Sequence, residues 1–209
     1  MEQRKITLVE VSFKLPLEEH YELLKEIIAV DKEVELNHEE VFNWAVKNNN
    51  TELASLLIQL AGDNCDIRVA AEEGNTEIAK QLIEVGADVT ADDNYAIKAA
   101  AENGHTEIVK MLIEAGADVK ADNNYAIILA SENGHTEIVK LLIEAGADIT
   151  ANDNYAIDCA AENGYTEIVK MLIEAGVDVI ADDNYAIDCA LANGYTKIVK
   201  LLMDAGAKI

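Results

Sequence analysis

The chain has 209 residues, a net charge of −24 and an apolar fraction of 50%, which is enough to build a sizeable hydrophobic core. So negative a charge repels phosphate groups, which argues against nucleic acid and against anionic membrane surfaces as partners. It favours a partner protein with a basic or mixed-charge surface, although a solvated acidic face without any partner would have the same composition.

The first 37 residues differ from the rest of the chain. Apolar residues between Ile6 and Leu15 alternate with polar ones roughly as in a strand, with one slip. Pro16 suits the start of a helix that runs to Val30 and resembles the second helix of the later repeats. We therefore interpret residues 1–37 as a half-repeat cap with a short strand, although a separate functional element would fit the same pattern. The segment lacks the apolar stretch of a signal peptide.

From residue 38 onwards the sequence repeats itself. The tetrapeptide Asn-Tyr-Ala-Ile occurs four times at intervals of thirty residues, and its surroundings recur with it. A period of 20–50 residues is typical of solenoid proteins. One unit alone is too small to be stable, because it buries too little apolar surface to offset the entropy of ordering its backbone. The predicted repeats are residues 38–62, 63–90, 91–120, 121–150, 151–180 and 181–209.

Each repeat is predicted to begin with a short helix. In the third repeat, Ile97, Ala100 and Ala101 have the i, i+3, i+4 spacing of a buried helical stripe. Gly104 follows and is predicted to close the helix in a left-handed conformation. In the degenerate first repeat Asn49 takes this place, and asparagine is the next-best residue for it.

A second helix follows the turn in each repeat. In the third repeat Thr106 is the predicted N-cap, and Glu107 places a negative charge in the first turn, where the helix dipole favours it. Gly116 ends the helix, and the remaining residues connect to the next repeat. The predicted buried face consists of Ile108, Val109, Leu112 and Ile113.

The run ENGHTEIVKMLIEAGADV, which starts at Glu102, closely resembles the second half of the ankyrin repeat. It recurs in register over residues 63–209, with a weaker copy from about residue 38. The resemblance implies an all-α fold, an ankyrin-type helical-repeat solenoid of helix-turn-helix units joined by short projecting loops. It also implies a non-catalytic, intracellular scaffold that binds other proteins along the concave face, which is lined by the first helices and the loops.

Two features depart from the usual ankyrin repeat. The unit has thirty residues instead of thirty-three, and the missing three fall in the projecting loop before Asn94, which argues against binding through long loop tips. The usual Thr-Pro-Leu-His opening is replaced by Tyr-Ala-Ile-Lys from Tyr95. Thirty-residue repeats that open in Asn-Tyr-Ala resemble those of large DNA viruses, which would place the protein in the cytoplasm of a host cell.

One position of the first helix changes character from repeat to repeat while its neighbours stay fixed. A helical wheel places it opposite the buried stripe and therefore predicts that it is exposed. We call this column the graded strip; it runs from basic to acidic through Arg68, Lys98, Ile128, Asp158 and Asp188. Flanking tyrosines supply the large, rigid contact area that is typical of interfaces: Tyr95, Tyr125, Tyr155 and Tyr185.

From this pattern we predict that the graded strip and its tyrosines bind the partner. The alternative is that the tyrosines only cover the junction of loop and helix, and that the strip varies without any function.

No pattern in the sequence predicts catalysis, a cofactor or a metal site, and we predict that the chain is not an enzyme. His105 and His135 are replaced by tyrosine in the next two repeats, a change that a catalytic or metal-binding histidine would not tolerate. The resemblance assigns this position a structural hydrogen bond. The carboxylates around Asp92 match no calcium loop. The three cysteines lack the spacing of a zinc site, and we expect free thiols in a reducing compartment: Cys65, Cys159 and Cys189.

The last repeat is more apolar than the others, since Leu191 stands where the previous repeat has Ala161. We expect that Leu191, Ile198 and Leu202 are partly exposed, or covered by another chain, or covered by a continuation of this one. Terminal repeats normally need a polar outer face. A second function is therefore predicted as the alternative, that of a structural element that assembles with itself end to end through this repeat.

Overall fold

A computed structural model describes residues 38–61, 65–180 and 184–208. The strand and half-repeat cap predicted for residues 1–37 lie outside these residues. Within the described ranges the chain contains twelve α-helices and no strand. The helices form six pairs, one in each predicted repeat, so that the all-α helix-turn-helix fold is confirmed.

The residues form two compact units, of which the first ends at Asp88 and the second begins at Val89. The first unit contains α1 (His38–Lys47), α2 (Thr51–Ala61), α3 (Ile67–Glu73) and α4 (Thr76–Glu84). The second unit contains α5 (Ala91–Glu102), α6 (Thr106–Glu114), α7 (Ala121–Glu132), α8 (Thr136–Glu144), α9 (Ala151–Glu162), α10 (Thr166–Glu174), α11 (Tyr185–Ala192) and α12 (Thr196–Asp204).

The helices of the second unit pack in two rows. The first helices pack in chain order, α5 on α7, α7 on α9 and α9 on α11, and the second helices α6, α8, α10 and α12 do the same. Ile97, Ala100 and Ala101 are fully buried, as are Ile108, Val109 and Leu112. Each helix therefore completes its burial against the neighbouring repeats, as the size of the repeat required.

The turn between the two helices forms as predicted, except at the N-cap. Gly104 has φ +80° and Asn49 has φ +54°, so that both close their helices in the left-handed conformation. Thr106, however, is the first residue of α6 and not its N-cap. The cap position belongs to His105, because its carbonyl oxygen accepts the first bond of the helix, from the Val109 N–H at 3.0 Å.

The first helix of three repeats contains a short left-handed turn just after its first residue. Its three residues have φ between 49° and 69°, and the right-handed helix begins only at the tyrosine that follows. A left-handed conformation costs most L-residues about 1–2 kcal/mol, and asparagine and aspartate adopt it most readily. The sequence accordingly has Asn or Asp at all nine positions: Asp92, Asp93, Asn94, Asp122, Asn123, Asn124, Asn152, Asp153 and Asn154.

The last asparagine of this turn also ties the two ends of its repeat together. Oδ1 of Asn94 accepts a hydrogen bond from the backbone N–H of Asp118 at 2.7 Å. Oδ1 of Asn124 accepts the same bond from Asp148 at 2.6 Å. Both side chains are buried. The invariant asparagine of the Asn-Tyr-Ala-Ile motif therefore has a structural role, since it holds the loop that leads to the next repeat.

The last repeat exposes less apolar surface than the sequence suggests. Leu191 is exposed, but Ile198 and Leu202 are fully buried, so the first of the three alternatives, partial exposure, holds for Leu191 and is wrong for the other two. They lie on α12, which packs against both α10 and α11. These two contacts cover the apolar stripe of α12 without any further repeat.

Candidate functional site

Exposed tyrosines begin the right-handed part of the four first helices of the second unit. Each is the first right-handed residue after a left-handed asparagine. The left-handed turn therefore fixes the position of the tyrosine at the start of the right-handed helix. Large aromatic side chains are mostly buried in folded proteins, so their exposure at the same place in four consecutive repeats is unusual. The exposed fractions are 41% for Tyr95, 42% for Tyr125, 47% for Tyr155 and 44% for Tyr185.

A glutamate follows the tyrosine two helical turns later in three of these repeats. Residues seven positions apart lie on the same side of a helix, so each glutamate shares the exposed side of its tyrosine. We call the four tyrosines and these glutamates the tyrosine face. The glutamates were not selected from the sequence, although their recurrence in each of the three repeats was visible there. They are exposed at Glu102, Glu132 and Glu162.

The graded strip is not the exposed surface that the helical wheel predicts. Ile128 is 1% exposed and Asp158 is 4% exposed, so the prediction is wrong for both. The side chain of Lys98 is 13% exposed, and only Asp188 is open to solvent. The helical wheel describes an isolated helix. In the structure the first helices of successive repeats lie side by side, and this position lies on the flank that faces the adjacent first helix. Within the graded strip, the aliphatic side chain of Ile128 is the sequence feature that indicates burial.

Lys98 shows what this position does. Its Nζ lies 2.9 Å from Oδ2 of Asp122, in the left-handed turn of the following repeat. The ion pair therefore joins two repeats and is not available to a partner. Asp188, in contrast to Lys98, is exposed.

Arg68, the first member of the graded strip, lies in the first unit and is held locally. Its Nε lies 2.7 Å from Oδ2 of Asp66, which also caps α3 through the Arg68 N–H. The residue at the position of the tyrosines in this repeat is Cys65, which is buried. The tyrosine face therefore begins at Tyr95.

Two of the tyrosines are linked to cysteines one turn further along their helices. A hydrogen bond with Cys189 and the charge of its thiolate, followed by the charge of Glu162, raise the pKa of Tyr185 to about 12. At Tyr155 the charge and the hydrogen bond of Cys159 raise the pKa, and Glu132 and Glu162 raise it further. The negative charges of two neighbouring carboxylates therefore act on the Tyr155 hydroxyl.

The three cysteines are free thiols, as predicted, but they differ in burial. Burial raises the pKa of Cys65 and that of Cys159 to about 11, whereas Cys189 is only half-buried. Since the thiolate is the reactive form, we expect maleimide at pH 8 to label Cys189 first. Cys65 and Cys159 should react on the order of 100-fold more slowly than an ordinary thiol. Peptide mass spectrometry against time measures this, and equal rates at Cys159 and Cys189 would contradict the burial of Cys159.

The histidine–tyrosine position is part of the repeat interface. Nε2 of His135 donates a hydrogen bond to the Glu102 carbonyl oxygen of the previous repeat at 2.9 Å. Since a carbonyl oxygen can only accept, this nitrogen carries the hydrogen. The His135 ring lies against Gly104, and the Tyr165 ring occupies the same place against Gly134. Both ring types fill one structural site, which explains why they replace one another along the chain.

Residues 67–153 and 151–209 match a family model of ankyrin repeats in three copies, and these spans cover more than half of the chain. The chain belongs to the ankyrin-repeat family. Ankyrin repeats are generally protein–protein interaction modules and are typically non-catalytic. A search of curated proteins found no match to this ankyrin-repeat protein.

In the part of the chain that the structure describes, no group of three or more His, Cys, Asp or Glu side chains could hold a metal ion. None of the twelve helices found there has the length and apolar character that crossing a membrane requires.

Proposed function

We propose that this ankyrin-repeat protein is a non-catalytic scaffold that binds a partner protein through the tyrosine face. The observation that carries the proposal is the exposure of Tyr95, Tyr125, Tyr155 and Tyr185 in consecutive repeats. Folding does not require an exposed aromatic ring, whereas tyrosine is among the residues that contribute most to binding energy in interfaces. The graded strip, which was predicted to share this role, is largely occupied in packing the repeats together.

The charge of the chain indicates the kind of partner. The net charge is −24, and Glu102, Glu132 and Glu162 border the tyrosines. A basic surface on the partner would be attracted at long range and would pair with these carboxylates on docking. We therefore propose a basic protein partner, and neither nucleic acid nor an anionic membrane. The three free thiols support an intracellular location.

The proposal is tested by removing two central rings together. Peptides selected from a random displayed library against the wild-type protein should be rich in Lys and Arg. Tyr125→Ala with Tyr155→Ala should lower their affinity at least tenfold, since truncating an interface tyrosine often costs more than about 1 kcal/mol. Isothermal titration calorimetry measures the affinity. The melting temperature should fall by only a few degrees, because both rings are exposed.

The matched control removes exposed apolar area elsewhere. Leu60 and Val85 are as exposed as the tyrosines but lie in the first unit, so Leu60→Ala with Val85→Ala should leave the affinity unchanged. Equal losses in the two double variants, or no loss in either, would show that the tyrosine face is not the binding surface.

Self-assembly through the last repeat is a second candidate function. Leu191 and Met203 expose 40% and 49% of their surface, which favours an apolar contact at this end. If the contact forms, light scattering at high protein concentration should show an oligomer, and Leu191→Ala should return the protein to a monomer. A wild-type protein that remains monomeric at high concentration would exclude this candidate.

A further inference from the structure

The tyrosine face has a regular spacing in two directions. Along each first helix, the tyrosine and the glutamate are seven residues apart, which at 1.5 Å per residue corresponds to about 10 Å. Between repeats, α5, α7, α9 and α11 pack directly on one another, and packed helices lie about 8–10 Å apart. Three successive repeats therefore present the same pair of groups: Tyr95 with Glu102, Tyr125 with Glu132, and Tyr155 with Glu162.

Each pair combines two groups that bind the same kind of side chain. A tyrosine ring attracts a cation over its face, and a carboxylate accepts hydrogen bonds from it. In α9, Tyr155 and Glu162 are both exposed, and their spacing of seven residues places them on the same side of the helix. Arginine fits this arrangement better than lysine, because its planar guanidinium can stack on the ring and still donate to the carboxylate.

The spacing between repeats selects the conformation of the partner. A polyproline-II chain rises about 3.1 Å per residue and has three residues per turn, so every third side chain points the same way about 9.3 Å further on. This matches the distance between packed first helices. A β-strand does not match, because its side chains return to one face every second residue, at about 6.6 Å. A polyproline-II segment also loses little conformational entropy on binding.

We propose that the second unit binds a polyproline-II segment of a partner protein that carries an arginine at every third residue, with one arginine at each pair from Tyr95–Glu102 to Tyr155–Glu162. This inference deepens the proposed function and depends on it. The last predicted repeat, residues 181–209, has Ala192 in place of the glutamate, so the arginine sites number three.

The test uses three fluorescein-labelled peptides with the same composition, including three arginines, and the full chain. In the first the arginines stand at every third position of a proline-rich sequence, in the second they are contiguous, and in the third they are seven residues apart. Fluorescence anisotropy in 50 mM and 300 mM NaCl measures the affinities. We expect the first peptide to bind at least tenfold more tightly than the other two at both salt concentrations.

Two double variants with the same net charge distinguish direct contact with the glutamates of the tyrosine face from the general attraction of an acidic protein for a basic peptide. Glu132→Gln with Glu162→Gln should abolish the advantage of the first peptide. Glu114→Gln with Glu144→Gln, on the exposed surface of the second helices, should preserve it.

The outcomes distinguish this inference from the proposed function. Equal binding of all three peptides, lost with Tyr125→Ala and Tyr155→Ala, would overturn the three-residue spacing but leave the tyrosine face as a site for basic partners. Tighter binding of the seven-residue peptide would overturn the match between a three-residue spacing of the arginines and the distance between repeats. If no peptide binds, or if the contiguous peptide binds best and neither glutamate variant matters, both the inference and the proposal of a basic partner fail.

Discussion

Replacing Gly104 with alanine is expected to lower the free energy of unfolding by about 2–5 kcal/mol. Gly104 has φ +80°, and a Cβ atom there would lie 2.7 Å from Cε1 of His135. The ring must move, and its hydrogen bond to the Glu102 carbonyl oxygen is then lost. Urea denaturation followed by circular dichroism measures the change.

Gly116→Ala is the matched control in the same repeat. Gly116 has φ +96°, but a Cβ atom there would meet nothing within 4 Å, so only backbone strain of about 1–2 kcal/mol is expected. In a His135→Ala background, Gly104→Ala should lower the free energy of unfolding only as much as Gly116→Ala does, because the ring is absent. An unchanged cost in that background would show that the His135 ring is not what requires glycine.

Replacing Asn124 with alanine is the second large effect that we expect, at about 1.5–3.5 kcal/mol. Two contributions add. Alanine is strained at the φ of +62°, and the buried hydrogen bond from the Asp148 N–H to Oδ1, at 2.6 Å, disappears. Thermal or urea unfolding measures the sum.

Two variants separate these contributions. Asn123→Ala creates the same strain at φ +54° on an exposed residue, without removing the bond. Asn124→Gly removes the bond without creating strain. Each should cost less than Asn124→Ala, and equal costs for Asn124→Ala and Asn123→Ala would show that the bond to Asp148 contributes nothing.

The two left-handed features of the repeat differed in how well they could be predicted. The left-handed closure at Gly104 and Asn49 was predicted, because glycine and asparagine after a helical stripe are a strong local signal. The left-handed turn at Asp92, Asp93 and Asn94 was interpreted only as a connecting loop. Three consecutive non-glycine residues in this conformation are rare enough that no local rule suggests them. They persist because Asn94 is anchored to Asp118, twenty-four residues away in the sequence.

The candidate site was predicted in part. The four tyrosines are exposed, as the wheel of an isolated helix indicates, and the same wheel wrongly assigned Ile128 and Asp158 to solvent. The difference lies in the angle at which each residue leaves the helix. The tyrosines lie on the outward side of their helices. The graded strip lies about 60° further around the helix axis, on the flank. Only the adjacent first helix decides whether that flank is covered, as the bond from Lys98 to Asp122 shows.

By itself the sequence determined the thirty-residue period, the two helices in each repeat and the ankyrin-type fold, because each follows from local sequence signals that recur in every repeat. The tertiary structure alone decided which side chains remain exposed on the first helices. That depends on the neighbouring repeats, which bury the varied position at Ile128 and Asp158 and leave a row of tyrosines and glutamates open to solvent.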